Sequence, residues 1–164
     1  MSKLIFQEKI CMSYQKKSES LAQAIVALVN GRVNDAPCYR YLIDNLYAFR
    51  VGSVNGTGKW DTRKIREHCP WTVLARKSNK VHKEHVVPMA EIVRILLSYD
   101  KPQVTDIYDV VDKYCTYCMV TPEEHEALNK DYRHKMPSGF WEKGSDYYMD
   151  IWARYKLANV AYQL

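Results

Sequence analysis

The sequence predicts an α+β fold, mainly α, in which helices surround a small two-stranded antiparallel ββα-like unit. Three observations predict it. Apolar residues recur at helical spacing along most of the chain. Only two short stretches, 80–87 and 115–120, are rich in β-branched or aromatic residues without that period. The second runs straight into Thr121-Pro122-Glu123-Glu124, a strong helix start.

Taken in order, Leu21, Ala24, Ile25, Leu28 and Val29 fall on one face of a helix that Gly31 stops. Asp35-Ala36-Pro37 starts a second helix carrying Tyr39, Leu42, Ile43, Leu46 and Phe49, which ends near Gly52. Asn55-Gly56-Thr57-Gly58 reads as a flexible loop. A short basic helix follows Asp61 and stops by Cys69, because Pro70 disfavours continuation. Ser78-Asn79-Lys80 is a turn, and the first strand covers 80–87. Pro88 suits a first helical position, with Met89, Ile92, Val93, Leu96 and Leu97 as the apolar stripe. Thr105-Asp106 starts a helix with Ile107, Val110, Val111 and Tyr114 on one side, and the second strand follows.

Thr121 then caps a helix running to about Tyr132. Pro122 is its first residue, and Glu124 bonds back to the Thr121 amide to complete a capping box. Residues 135–144 form a loop, and Ser145-Asp146 opens a last helix with Tyr148, Ile151, Trp152, Tyr155 and Tyr162 on its face.

At 164 residues the chain suits a single domain over 1–164. It divides into an N-terminal helical part (1–58), a basic segment with the ββα-like core (59–134), and a loop with the C-terminal helix (135–164). Apolar residues make up 47% and charged residues 26%, which excludes wholesale disorder. The longest apolar run, residues 24–29, is far short of a membrane span. The first residues lack the apolar stretch of a signal peptide, so the expected location is the cytoplasm with no membrane partner. Five cysteines without an export signal predict no disulfides; Cys11, Cys38 and Cys69 are expected to pack as small hydrophobes.

The net charge of +5 is concentrated in one place. Lys59, Arg63, Lys64, Arg66, Arg76, Lys77, Lys80 and Lys83 face only Asp61 and Glu67 across residues 59–83, leaving the rest of the chain about neutral. Such an excess attracts phosphate backbones by counterion release, and it also serves as a solubilising face.

Candidate chemistry gathers around the two strands. His82 and the Glu84-His85 pair lie on the first, while His125 and Asn129, four apart, share a face of the helix after the second. His68 and His134 have no companion motif. A carboxylate, imidazoles and an amide are a kit for metal-assisted hydrolysis. Neutral imidazole takes a proton from water, and the other groups hold a divalent cation against the developing phosphorane charge.

Glu84-His85-Val86-Val87-Pro88, Thr116-Tyr117-Cys118-Met119-Val120 and the helix start 121–129 together resemble the ββα-metal core of HNH (His-Me finger) nucleases. The resemblance covers about 20 residues in two pieces. It implies divalent-metal-dependent cleavage of nucleic acid, DNA foremost. His85 would be the general base and Glu84, His125 and Asn129 the metal ligands, with His82 in support. The implied ion is Mg2+, with Mn2+, Ni2+ or Zn2+ as alternatives. Two features differ from the family pattern. Glu84 stands at the usual Asp position, and residues 88–114, between the strands, read as two helices rather than an open loop.

Two other readings stay open. His82-x2-His85 with Cys115-x2-Cys118 supplies four ligand types suited to a structural zinc, although Cys115 and Cys118 face opposite ways if the stretch is a strand. Alternatively, Trp60, Trp71, Tyr132 and Trp141, set near basic residues, suit a non-catalytic module that binds nucleic acid or a protein partner, of the kind a phage or mobile element uses to occupy a host factor.

Overall fold

The computed structural model describes residues 2–163, with side chains described from residue 14 onward, so the Cys11 side chain lies outside the described residues. In chain order the elements are α1 (Ser2–Asn30), α2 (Ala36–Arg50), α3 (Thr62–His68), β1 (Trp71–Thr72), β2 (His82–His85), α4 (Met89–Leu97), α5 (Val104–Tyr114), β3 (Tyr117–Val120), α6 (Pro122–Tyr132), α7 (Ala153–Leu157) and β4 (Tyr162–Gln163). Short 3-10 turns stand at Ala75–Lys77 and Ser138–Phe140. The fold is α+β and mainly α. None of the described helices is long and apolar enough to cross a membrane.

The chain forms two compact units, Met1–His68 with Leu96–Asp112, and Cys69–Ile95 with Lys113–Leu164. The chain passes between them after His68, Ile95 and Asp112, the first of these points lying inside the basic segment. In the first unit α1 packs against α2, burying Ala22, Ile25 and Val29 on one helix and Tyr39, Ile43 and Leu46 on the other. The stretch expected to be flexible is tied down. Asn55 Oδ1 accepts from Thr57 N (3.0 Å), Thr57 Oγ1 (2.7 Å) and Lys59 N (3.0 Å), and Val54 bridges to Trp60. Asp61 Oδ1 then accepts from Arg63 N at 3.0 Å, which starts the basic helix α3. Cys38 is exposed rather than packed, because it lies on the solvent side of α2; Cys69 is buried as expected.

The second unit holds a sheet of order β2-β3-β1-β4 among the described residues, not an isolated strand pair. β2 and β3 pair antiparallel, with Glu84 opposite Cys118 and His85 opposite Tyr117. β1 runs parallel to β3 and antiparallel to β4. β1 and β4 are two residues each, too short for a periodic signal, which is why the sequence does not reveal them. Thr121 caps α6 with both bonds of the capping box formed, Glu124 N to Thr121 Oγ1 at 3.2 Å and Thr121 N to Glu124 Oε2 at 2.8 Å.

The expected long C-terminal helix is mostly turns. Met149 and Asn159 take left-handed backbone conformations (φ 53° and 55°) that interrupt the helical ladder and confine α7 to five residues. Tyr162 reaches the core from β4 instead, stacking on Trp152 with ring centres 3.9 Å apart. Val86, Cys118, Val120, Leu128, Trp152, Tyr155 and Val160 form the core on this side.

Candidate functional site

Side chains alternate across a strand, so β2 sends His82 and Glu84 to one face and Lys83 and His85 to the other. The first face carries α6 and α7, and on it the predicted residues converge. Glu84 Oε2 lies 2.8 Å from His125 Nδ1, and Asn129 Nδ2 lies 3.0 Å from His125 Nε2. His82 stacks on His125 with ring centres 5.2 Å apart and an interplanar angle of 18°. Four of the five predicted site residues are therefore together.

His85 is the exception. Its ring packs against Tyr117, 4.4 Å between centres, on the opposite face, beside Lys83, whose Nζ stands 4.2 Å above the same tyrosine. The expected pairing of His85 with Glu84 at one site fails for a simple reason. A twisted strand end or a bulge would have to turn neighbouring side chains to one side, and β2 pairs with β3 in unbroken register as far as His85.

A residue that the motif did not contain dominates the cluster. Arg154, on α7, is fully buried, and its Nη2 donates to Glu84 Oε1 at 2.6 Å. Nε donates to Val86 O (2.8 Å) and Nη1 to Tyr132 O (3.2 Å), while Nη2 also reaches His85 O. One guanidinium thus ties the end of β2 to the end of α6. The signal in the sequence was an arginine placed between Trp152-Ala153 and Tyr155, an apolar setting in which a charge requires a buried acidic partner.

These partners decide the protonation pattern. As a carboxylate Glu84 only accepts, so His125 Nδ1 donates to it, while Asn129 Nδ2 lies over the ring, 3.0 Å from Nε2 and 3.2 Å from Nδ1, out of line with the Nε2 lone pair. The neighbouring carboxylate of Glu124 is used by the cap and by Thr72 Oγ1, which donates to it at 2.6 Å. Cys118, opposite Glu84, has its thiol pushed up to about 12 by burial and by neighbouring Cys69. Burial likewise holds the Tyr155 hydroxyl well above its ordinary range.

A divalent cation needs oxygen and nitrogen lone pairs that converge on it. Here both Glu84 oxygens are committed, one to a guanidinium that already neutralises the carboxylate and repels a second cation. The Asn129 amide nitrogen, a donor and not a ligand, lies across the His125 ring, 3.0 Å from Nε2 and 3.2 Å from Nδ1. As arranged, Glu84, His125 and Asn129 do not fit a Mg2+-type ion. The zinc set is likewise divided. His82 and the buried Cys118 lie on the α6 face, whereas a His85 ring nitrogen lies within 4.8 Å of Cys115 Sγ.

The basic residues also separate. Lys59, Arg63, Arg66, Arg76, Lys77 and Lys80 are exposed. Lys64 is turned inward to donate to Val54 O at 2.6 Å, and Lys83 lies over Tyr117. Comparison with protein-family models, with curated proteins and with solved structures finds no match to this chain.

Proposed function

We propose that the protein binds nucleic acid through its exposed basic side chains, without cleaving it by the HNH mechanism. The observation that carries this reading is the Arg154 guanidinium, buried and 2.6 Å from Glu84, which makes the family's metal-binding position an internal anchor. Arg76, Lys77 and Lys80 lie exposed between β1 and β2 in the second unit. Each phosphate they neutralise adds about −0.9 to the slope of log affinity against log salt on duplex DNA. Single substitutions to Ala there should flatten that slope by about one contact each, without altering sequence preference.

A second reading is favoured by one contact. Glu84 orients His125 through Nδ1, the arrangement in which a carboxylate positions a general base, and the imidazole side chain is 38% exposed. For hydrolysis the base is His125, acting through Nε2, rather than His85. Plasmid incubated with the protein in Mg2+, Mn2+, Ni2+ or Zn2+ separates the two. The binding reading expects a mobility shift that fades with salt while the plasmid stays supercoiled. Nicking that disappears in His125→Ala replaces it with the hydrolase reading. Nicking that disappears only in His85→Ala overturns both.

A further inference from the structure

The second unit contains a cleft of about 560 Å³, lined by Glu91, Arg94, Tyr132, Lys135, Trp141 and Tyr147 among others and by none of His82, Glu84, His125 and Asn129. That volume is in the range of small-molecule sites. Two atoms of residues in its wall are buried without a hydrogen-bond partner among the described residues, Glu91 Oε2 and Trp141 Nε1. Unsatisfied buried polar atoms are rare in folded chains and call for a reason. Glu91 is also firmly placed. Its side chain is only 7% exposed, and Oε1 accepts from the Met136 amide at 3.1 Å.

Arg94 stands against both side chains. Its Nη1 stands 3.7 Å from Glu91 Oε2, too long for a hydrogen bond, and its guanidinium carbon sits 4.2 Å above the Trp141 ring. The Arg94 side chain is itself 63% exposed, so swinging it outward breaks one stretched ion pair and one cation–π contact.

We propose that this cleft binds the guanine base of a nucleotide, with Arg94 as its stopper. A carboxylate only accepts and an indole N–H only donates, so the complement is a planar edge with N–H groups beside a carbonyl oxygen. Guanine presents two adjacent N–H donors, at N1 and N2, flanked by O6. Adenine presents one donor beside an acceptor, N1, whose lone pair faces those of the carboxylate oxygen. Guanine N1–H and N2–H converge on Glu91 Oε2, the oxygen left without a partner, and Trp141 Nε1 donates to O6. Displaced from the indole, Arg94 joins Lys135 at the mouth, where the two cations face the phosphate.

The full chain titrated with GMP and with AMP, followed by calorimetry and indole fluorescence, tests this. GMP is expected to bind at least tenfold more tightly than AMP. Trp141→Phe, which keeps a ring but removes the N–H, and Glu91→Gln should each weaken GMP at least tenfold with an unchanged melting temperature. If either variant fails to fold, the GMP-to-AMP ratio of the parent still decides. No GMP binding, equal binding of AMP, undiminished binding in both variants, or free glutamine bound in preference to GMP overturns the proposal. The assay uses no polymer, so its failure leaves the nucleic-acid reading standing, and loss of DNA binding leaves the cleft standing.

Discussion

The two faces of the β2–β3 pair differ more than their sequences suggest. On the α6 face, His82, Glu84, Cys118 and Val120 meet α6 and α7, and Glu84 joins Arg154 and His125 in one network there. On the opposite face, Lys83 and His85 share an aromatic partner, Tyr117. Glu84 and His85 are adjacent in the chain yet belong to different environments. A two-residue motif carries its chemistry only when the backbone brings both side chains to one side, and a regular strand sends them apart.

The largest test of this contrast is the removal of Arg154. Arg154→Met takes from the largely buried Glu84 carboxylate its buried cation, leaving only the His125 bond, and strips donors from three carbonyls. The expected loss is about 3–5 kcal/mol by urea unfolding. Glu84→Gln in the same background should recover part of it, a coupling that a double-mutant cycle measures. A loss below about 1 kcal/mol would mean that the network contributes no more than an exposed pair.

Alkaline pH probes the same face. The Cys118 thiol titrates near its ordinary value of 9 when unfolded and at about 12 when folded, because burial disfavours the thiolate. Above pH 9 the unfolded chain therefore loses the proton first. Stability is full below that value and falls as pH rises towards 12, by at most about 1.4 kcal/mol per pH unit. The burial of Tyr155 acts in the same direction at higher pH. Equilibrium unfolding from pH 7 to 10.5 checks the sign; stability that rises above pH 9 contradicts it. In parallel, iodoacetamide at pH 8 should alkylate exposed Cys38 well before Cys118.

The smallest expected effect is the most discriminating for the faces themselves. His85→Ala should leave the His125 ring resonances where they are, whereas Glu84→Gln should move them, since of these two residues it is Glu84 that bonds to that ring. Equal perturbation by both substitutions would place the two histidines in one site.

Much of this was legible in the chain. The capping box at Thr121, the Asp61 start of α3 and the antiparallel pairing of the two strand stretches follow from local chemistry that short spacings encode. The convergence of Glu84, His125 and Asn129 was also legible, because a strand pair followed at once by a capped helix has few ways to fold. The role of Arg154 was not, since it joins Glu84 across 70 positions and no periodicity reports such a contact. The C-terminal segment misled for a related reason. Tyr148, Ile151, Trp152 and Tyr155 keep helical spacing, but left-handed Met149 and Asn159 break the ladder; Tyr148 stays exposed, while Trp152 reaches the core from a turn, Tyr155 from the short α7 and Tyr162 from β4.

The account rests on Glu84 being committed to Arg154 and His125 rather than to a cation. Titrating Mn2+ into the isotope-labelled protein while following the histidine ring resonances measures this directly, since a bound paramagnetic ion broadens nearby signals. The predicted result is sharp His82 and His125 resonances at stoichiometric Mn2+. Stoichiometric broadening of both, abolished by Glu84→Gln, would contradict the account and return the cluster to metal chemistry.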